Sequence, residues 1–169
     1  MDGNGRWAKT QGLERYMGHK KGVEAVKEIT ETCAEIGIKY LTVYAFSTEN
    51  WSRPESEVIA LMQLLVSTIK NETETLMKND IRLDAIGNME ALPGDCYEEL
   101  QEAMGVTANN KRMTLILALS YSSRWEIEHA TQQIAKEVQQ GKLQPEDIDS
   151  DKVSSFLTTV SYTHLRAHE

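Results

Sequence analysis

The sequence predicts an α/β fold with a mainly parallel central sheet flanked by helices. Three observations carry this. Apolar runs of strand length, at residues 40–46, 81–86 and 113–119, alternate with longer segments whose apolar residues recur at helical spacing. The segments between the runs are long enough for crossover helices, which makes right-handed strand–helix–strand units the economical connection. Asp2-Gly3 reads as a turn leaving the carboxyl end of a further strand.

Taken in order, Gly12 and Gly18 leave the segment after that turn irregular. A helix is expected from about Lys21, with Val26, Ile29, Cys33 and Ile36 on its core face and Gly37 as its stop. Residues 40–46 are β-branched and aromatic enough for a strand covered on both faces. That strand leaves through Ser47-Thr48-Glu49-Asn50-Trp51-Ser52-Arg53, a polar loop ahead of Pro54, and proline suits the start of a helix. The helix should reach about Asn79, with Val58, Met62, Leu65, Ile69 and Met77 roughly aligned as core. Residues 81–86 alternate as a strand nearer a sheet edge, and Gly87-Asn88 turns out of it. Pro93-Gly94-Asp95 begins a helix bearing Tyr97, Leu100 and Met104, which ends by Asn109-Asn110. Residues 113–119 form the most apolar run and fit the sheet centre, with residues 120–124 as the exit loop. A helix with Ile127, Ile134 and Val138 stops at Gly141, and a short one after Pro145 carries Val153, Phe156 and Leu157.

At 169 residues, with 40% hydrophobic and 26% charged residues, the chain has the composition of one ordinary globular domain, read here as residues 1–159. No apolar run approaches the length that crosses a bilayer and no charged-then-apolar leader opens the chain, which places it in the cytoplasm. Cys33 and Cys96 are far apart and lack neighbouring His ligands, so both read as small hydrophobes.

The densest chemistry is at the start. Two glycines around Asn4 allow a tight backbone path that brings N–H groups to a ligand. Arg6 offers a planar charged fork for phosphate oxygens, and Asp2 is a hard oxygen ligand suited to magnesium. The hexapeptide alone is equally a solvated Gly-Asn-Gly turn. Arg15, His19, Lys20 and Lys21 follow closely. Residues 1–22 hold five Lys/Arg and two Asp/Glu, a local charge of +3, in a chain of net charge −8, so the remainder sums to −11. One basic end on an acidic protein suits a small anion and disfavours nucleic acid, which needs an extended positive face. Loops at the carboxyl ends of parallel strands share a crevice, so residues 47–54 and the Asp2 turn should face one cleft.

Three segments together, Met1 to Ala8, Gly18-His19-Lys20-Lys21-Gly22 and Tyr44 to Pro54, resemble the cis-prenyltransferases of the bacterial undecaprenyl diphosphate synthase type, and the likeness extends to about residue 158. The resemblance implies an enzyme that extends an allylic diphosphate such as farnesyl diphosphate with isopentenyl diphosphate units, for the lipid carrier of cell-wall synthesis. By similarity Asp2 would hold Mg2+ and assist departure of the diphosphate, which Gly3, Asn4, Gly5 and Arg6 would cradle and Arg15 and His19 would grip. Trp7 would contact substrate, Ser47, Thr48 and Glu49 would line the reacting ends, and Trp51 and Arg53 would be mobile-loop contacts. Asn50 matches a position assigned as proton acceptor, although an amide is a poor base and positioning is the more physical role. The family also implies a homodimer when complete, an apolar tunnel between sheet and helices, and a lipid product that brings the protein to the inner face of the membrane.

The chain departs from the family at Ser120-Tyr121-Ser122-Ser123-Arg124, where Asn-Tyr-Gly-Gly-Arg is usual. Against the family, most of a first strand before Met1 and the last third after about Thr159 are missing. That last third would carry the arginine- and serine-rich motif for isopentenyl diphosphate and a metal-binding glutamate. Residues 160–169 do not resemble the family's continuation and read as a truncated reading frame or a foreign junction, whose His164 and His168 carry no site. A competing class is a non-catalytic prenyltransferase-like subunit or diphosphate-binding module. It need not keep Asp2, Arg6, Arg15, His19, Asn50 and Arg53 together, and all six are present. A phosphatase using Asp2 as nucleophile lacks a second nearby aspartate.

Overall fold

A computed structural model describes residues 3–159. Its elements are helices α1 (Asn4–Thr10) and α2 (Arg15–Glu35), strand β1 (Tyr40–Ser47), helix α3 (Glu55–Lys78), strand β2 (Ile81–Ile86), helix α4 (Gly94–Thr107), strand β3 (Met113–Tyr121), and helices α5 (Ser123–Gln139) and α6 (Ser150–Phe156). Short 3₁₀ turns cover Thr48–Ser52, Met89–Ala91 and Pro145–Asp147. The chain divides into two compact units, one ending at Ser120 and the other beginning at Tyr121.

In the first unit the strand order is β1-β3-β2, with β2 parallel to β3 from Ile81 opposite Met113 to Ile86 opposite Ala118. The expected α/β architecture, the central place of the most apolar run and the edge position of residues 81–86 are all present. Leu83, Leu115, Leu117 and Leu119 are buried with Met62, Ile69 and Leu76 of α3 and with Cys96, Leu100 and Ala103 of α4. Polar links fix these layers. Thr107 donates to the Ala103 carbonyl at 2.8 Å and accepts from Leu83 N–H at 3.0 Å, so the end of α4 is tied to β2 through one buried hydroxyl. The Cys96 thiol is fully buried, which together with neighbouring Asp95 pushes its pKa up to about 11 and keeps it protonated. Cys33 is only half-buried.

The structure corrects several expectations. α2 begins at Arg15, six residues before Lys21, and runs through Gly18 and Gly22 because those glycines are where α1 lies against it. Its buried residues are Gly18, Gly22, Thr30 and Ala34, whereas Ile29 and Ile36 are exposed; Gly18 and Gly22 are the ones that face α1. β1 is not covered on both faces: Tyr40 and Tyr44 are 52% and 65% exposed, and of its side chains only Phe46 is buried, because the strand borders a cavity. Met77 near the end of α3 is exposed, as are Tyr97 and Ile127, one apolar residue each from the faces expected of α4 and α5. β3 continues two residues past Leu119, leaving only Ser122 before α5.

In the second unit Ser122 caps α5, its hydroxyl accepting from Trp125 N–H at 3.2 Å. Glu126 is buried, yet its carboxylate is saturated with donors. Oε1 accepts from Thr158 N–H and hydroxyl, both at 2.7 Å, and from Thr159 N–H at 2.9 Å; Oε2 accepts from the Tyr121 hydroxyl at 2.9 Å and the Thr159 hydroxyl at 3.1 Å. Burial raises its pKa, but these bonds outweigh burial and leave it below the usual carboxylate value. The imidazole of His129 stacks on Trp125 at 5.2 Å.

Candidate functional site

The site opens where α1 meets α2. Gly3 adopts φ 88°, a left-handed conformation that favours glycine, and its carbonyl accepts from Trp7 N–H at 2.8 Å. The expected Gly-Asn-Gly turn is therefore the first turn of a helix. A Cβ on Gly18 would overlap the Asn4 carbonyl, and one on Gly22 the Asn4 side-chain amide, so the two helices touch backbone to backbone. A Cβ on Gly5 would stand 3.3 Å from the Arg15 guanidinium, so the absence of a side chain there leaves room for the cation.

Around this junction positive charge converges. Arg53, just after the 3₁₀ turn, donates through Nη1 to Glu57 Oε1 at 2.7 Å, and Arg15 Nε stands 3.4 Å from the same oxygen without bonding it. Arg15 Nε and His19 Nε2 are buried and have no hydrogen-bond partner. Such orphans are costly unless a ligand meets them. Burial, and then the charge of Arg53, lowers the pKa of His19 against the opposing pull of Glu57, which keeps the imidazole neutral near pH 7. Burial pushes the Glu57 carboxyl up, but the bond from Arg53 and the charge of Arg15 win and hold it low.

The loop after β1 closes on itself. Ser47 N–H donates to Asn50 Oδ1 at 3.1 Å in a reciprocal capping box. Trp51 anchors it: the indole N–H donates to Ser120 Oγ at 2.9 Å, and the ring meets Phe46 edge-on at 4.8 Å. Ser120 at the end of β3 has φ 47°, an uncommon conformation for serine.

Beyond the mouth lies a cavity of about 820 Å³ bounded by α2, β1 and α3. Gly3, Asn4, Gly5, Arg6, Arg15, His19, Ser47, Asn50 and Arg53 line one part, and Val26, Leu41, Val43, Leu61, Leu65 and Ile69 are among the apolar residues lining the rest. Nine of the residues singled out in the sequence are thus brought together. Trp7, which is 46% exposed, and Thr48, Glu49 and Trp51 do not line the cavity, and Asp2 lies outside the described residues, as does the 160–169 tail. Glu57 was missed; its spacing of four from Arg53, across the start of a helix, was the available signal.

Among the described residues no three His, Cys, Asp or Glu side chains are grouped to hold a metal. The orphaned nitrogens ask for an anion. A magnesium ion held by the oxygens of a diphosphate would need a carboxylate as well, and Asp2, the one singled out in the sequence, lies outside the described residues.

Fold and cavity define an α/β protein with a cavity lined by cationic residues in one part and largely by apolar residues in the rest. The family model described as putative undecaprenyl diphosphate synthase matches residues 1–166, and the chain belongs to that prenyltransferase family. An isoprenyl transferase of Porphyromonas gingivalis is 52% identical over 94% of this chain and 63% of its own length. A farnesyl-diphosphate-specific ditrans,polycis-undecaprenyl-diphosphate synthase of Vibrio cholerae is 46% identical over 94% and 63%. The chain thus spans a little over three-fifths of these relatives. Among solved structures, lavandulyl diphosphate synthase from Lavandula x intermedia, in complex with dimethylallyl diphosphate, superposes with a TM-score of 0.92 at 34% identity over 97% of this chain and 70% of that one. A probable undecaprenyl diphosphate synthase of Campylobacter jejuni gives 0.70 at 28%, over 82% and 64%. No helix among the described residues is long and apolar enough to cross a membrane.

Proposed function

We propose that this chain holds the allylic diphosphate of a cis-prenyltransferase, which condenses isopentenyl diphosphate onto a primer such as farnesyl diphosphate to make a long polyprenyl diphosphate. The observation that carries the reading is one cavity lined in one part by Arg6, Arg15, His19 and Arg53 and largely by apolar side chains in the rest. Gly3, Asn4, Gly5 and Arg6 cradle the head, and Arg15, His19 and Arg53 meet its charge, the orphaned nitrogens of Arg15 and His19 gaining their missing partners. The tail lies along Val26, Leu65 and Ile69.

The allylic carbon–oxygen bond breaks with its electrons leaving on the diphosphate. The double bond of isopentenyl diphosphate supplies the new carbon–carbon bond, and a proton lost from the adjacent carbon closes the new cis double bond. Donors aimed at the leaving oxygens stabilise the charge as it develops. When bound, magnesium adds Lewis-acid neutralisation of that leaving group, and Asp2 is the residue that would hold it. Asn50 orients, because its amide oxygen already accepts from Ser47 N–H and its NH₂ remains as donor. A water-excluding apolar body protects the allylic cation from hydrolysis. By the same reading the complete protein is a cytoplasmic homodimer, drawn to the inner membrane surface by its lipid product.

The test is incorporation of labelled isopentenyl diphosphate into lipid-soluble product with farnesyl diphosphate and magnesium, using the chain as it stands and one extended to the length of its relatives. The extended chain should make product and lose about a hundredfold or more in turnover on Asp2→Ala. A folded extended chain that binds farnesyl diphosphate but never condenses it would leave a non-catalytic subunit instead.

A further inference from the structure

The wall of the cavity contains one element that the head-group site does not use. α2 packs closely on α1 and α3 on α4, but α2 and α3 meet sparingly, and between them runs the cavity. Lys27 of α2 and Glu72 of α3, both lining it, bridge the two helices: Nζ lies 2.9 Å from one carboxylate oxygen and 3.2 Å from the other. At about 1.5 Å per residue, Lys27 lies some 12 Å along α2 from His19, and Glu72 some 22 Å along α3 from Glu57, so the pair stands well away from the cationic mouth. Both side chains are part-exposed, 43% and 26%.

We infer that Lys27 and Glu72 form a lateral gate between α2 and α3, through which a prenyl tail too long for the cavity passes to the outside. This rests on the allylic-diphosphate reading above. A wall of packed leucines could open only by exposing apolar surface, whereas a part-exposed ion pair is a weak tie between two flexible stems. The tail gains apolar contact with the methylene stem of Lys27 while the ammonium turns to water. Short tails end before the pair and are indifferent to it; long tails must displace it.

Equilibrium binding of dimethylallyl diphosphate and of detergent-dispersed undecaprenyl diphosphate to the full chain, with magnesium, reads this directly. Lys27→Glu, which sets two carboxylates against each other, should tighten undecaprenyl diphosphate about three- to fivefold and leave dimethylallyl diphosphate unchanged. The exchange Lys27→Glu with Glu72→Lys restores the pair and should restore wild-type affinity, which also shows that the fold tolerates the first change. Leucine at both positions seals the wall with apolar contact and should weaken only the long ligand. Equal undecaprenyl affinities across all four proteins, with dimethylallyl diphosphate still bound, would overturn the gate alone. Failure of the unchanged chain to bind dimethylallyl diphosphate would overturn the diphosphate site and the gate with it.

Discussion

At the scale of the residue, two titratable groups make stability fall with falling pH in two different windows. His19 has a pKa held below its ordinary value of 6.5, first by burial and then by Arg53, so the folded protein takes up fewer protons there than the unfolded chain. Its contribution to stability is complete above that ordinary value and falls away as pH drops through it toward the lowered one. A bound diphosphate reverses the preference, because an anion favours the imidazolium. Binding of farnesyl diphosphate near pH 6.5 should therefore take up protons and tighten as pH falls. Calorimetry in buffers of different ionisation enthalpy should show the uptake in the wild type and not in His19→Gln. Glu126 has the same sign in a more acid window. Its lowered pKa gives stability that is present above the usual 4.5 and lost as pH falls through the folded value. Replacing it by alanine strands the donors of Thr158, Thr159 and Tyr121, at a cost of about 2–3 kcal/mol, and the Thr158 and Thr159 amides should lose protection from hydrogen exchange.

At the scale of the element, one substitution changes sign with what the glycine touches. Alanine favours a helix interior by about 1 kcal/mol over glycine. At Gly105 of α4 nothing lies within 4 Å of the new methyl, so Gly105→Ala should stabilise by about 0.5–1 kcal/mol. At Gly18 the methyl meets the Asn4 backbone, which cannot swing aside as a side chain can, and Gly18→Ala should destabilise by about 1–3 kcal/mol. Urea denaturation of the two variants separates these outcomes. The loop after β1 shows the same dependence on context. Trp51 holds the loop to Ser120 and Phe46, and Ser47, Asn50 and Arg53 of the same segment line the cavity.

At the scale of the whole molecule, the legible parts were those governed by local pattern. Strand runs, the span of α3 and the apolar centre at β3 follow from periodicity and turn residues, and the cationic mouth from a charge cluster within 22 residues. What stayed hidden depends on partners distant in sequence. A glycine inside α2 reads as a breaker until α1 is seen against it, and β1 reads as a buried strand until the cavity beside it is seen. Lys27 and Glu72 are 45 residues apart and make no local pattern. The backbone contact of Gly18 with Asn4 has one more consequence. Arg15, His19 and Lys27 ride on one continuous helix, with about 18 Å of rise between the first and the last. Because α1 is seated directly on that helix, a displacement of α2 at Lys27 would be carried to the residues lining the cavity mouth. On the proposed reading, a tail that spread the far wall would then alter the hold on its own diphosphate, and the length of the hydrocarbon would be reported at the end where it is held.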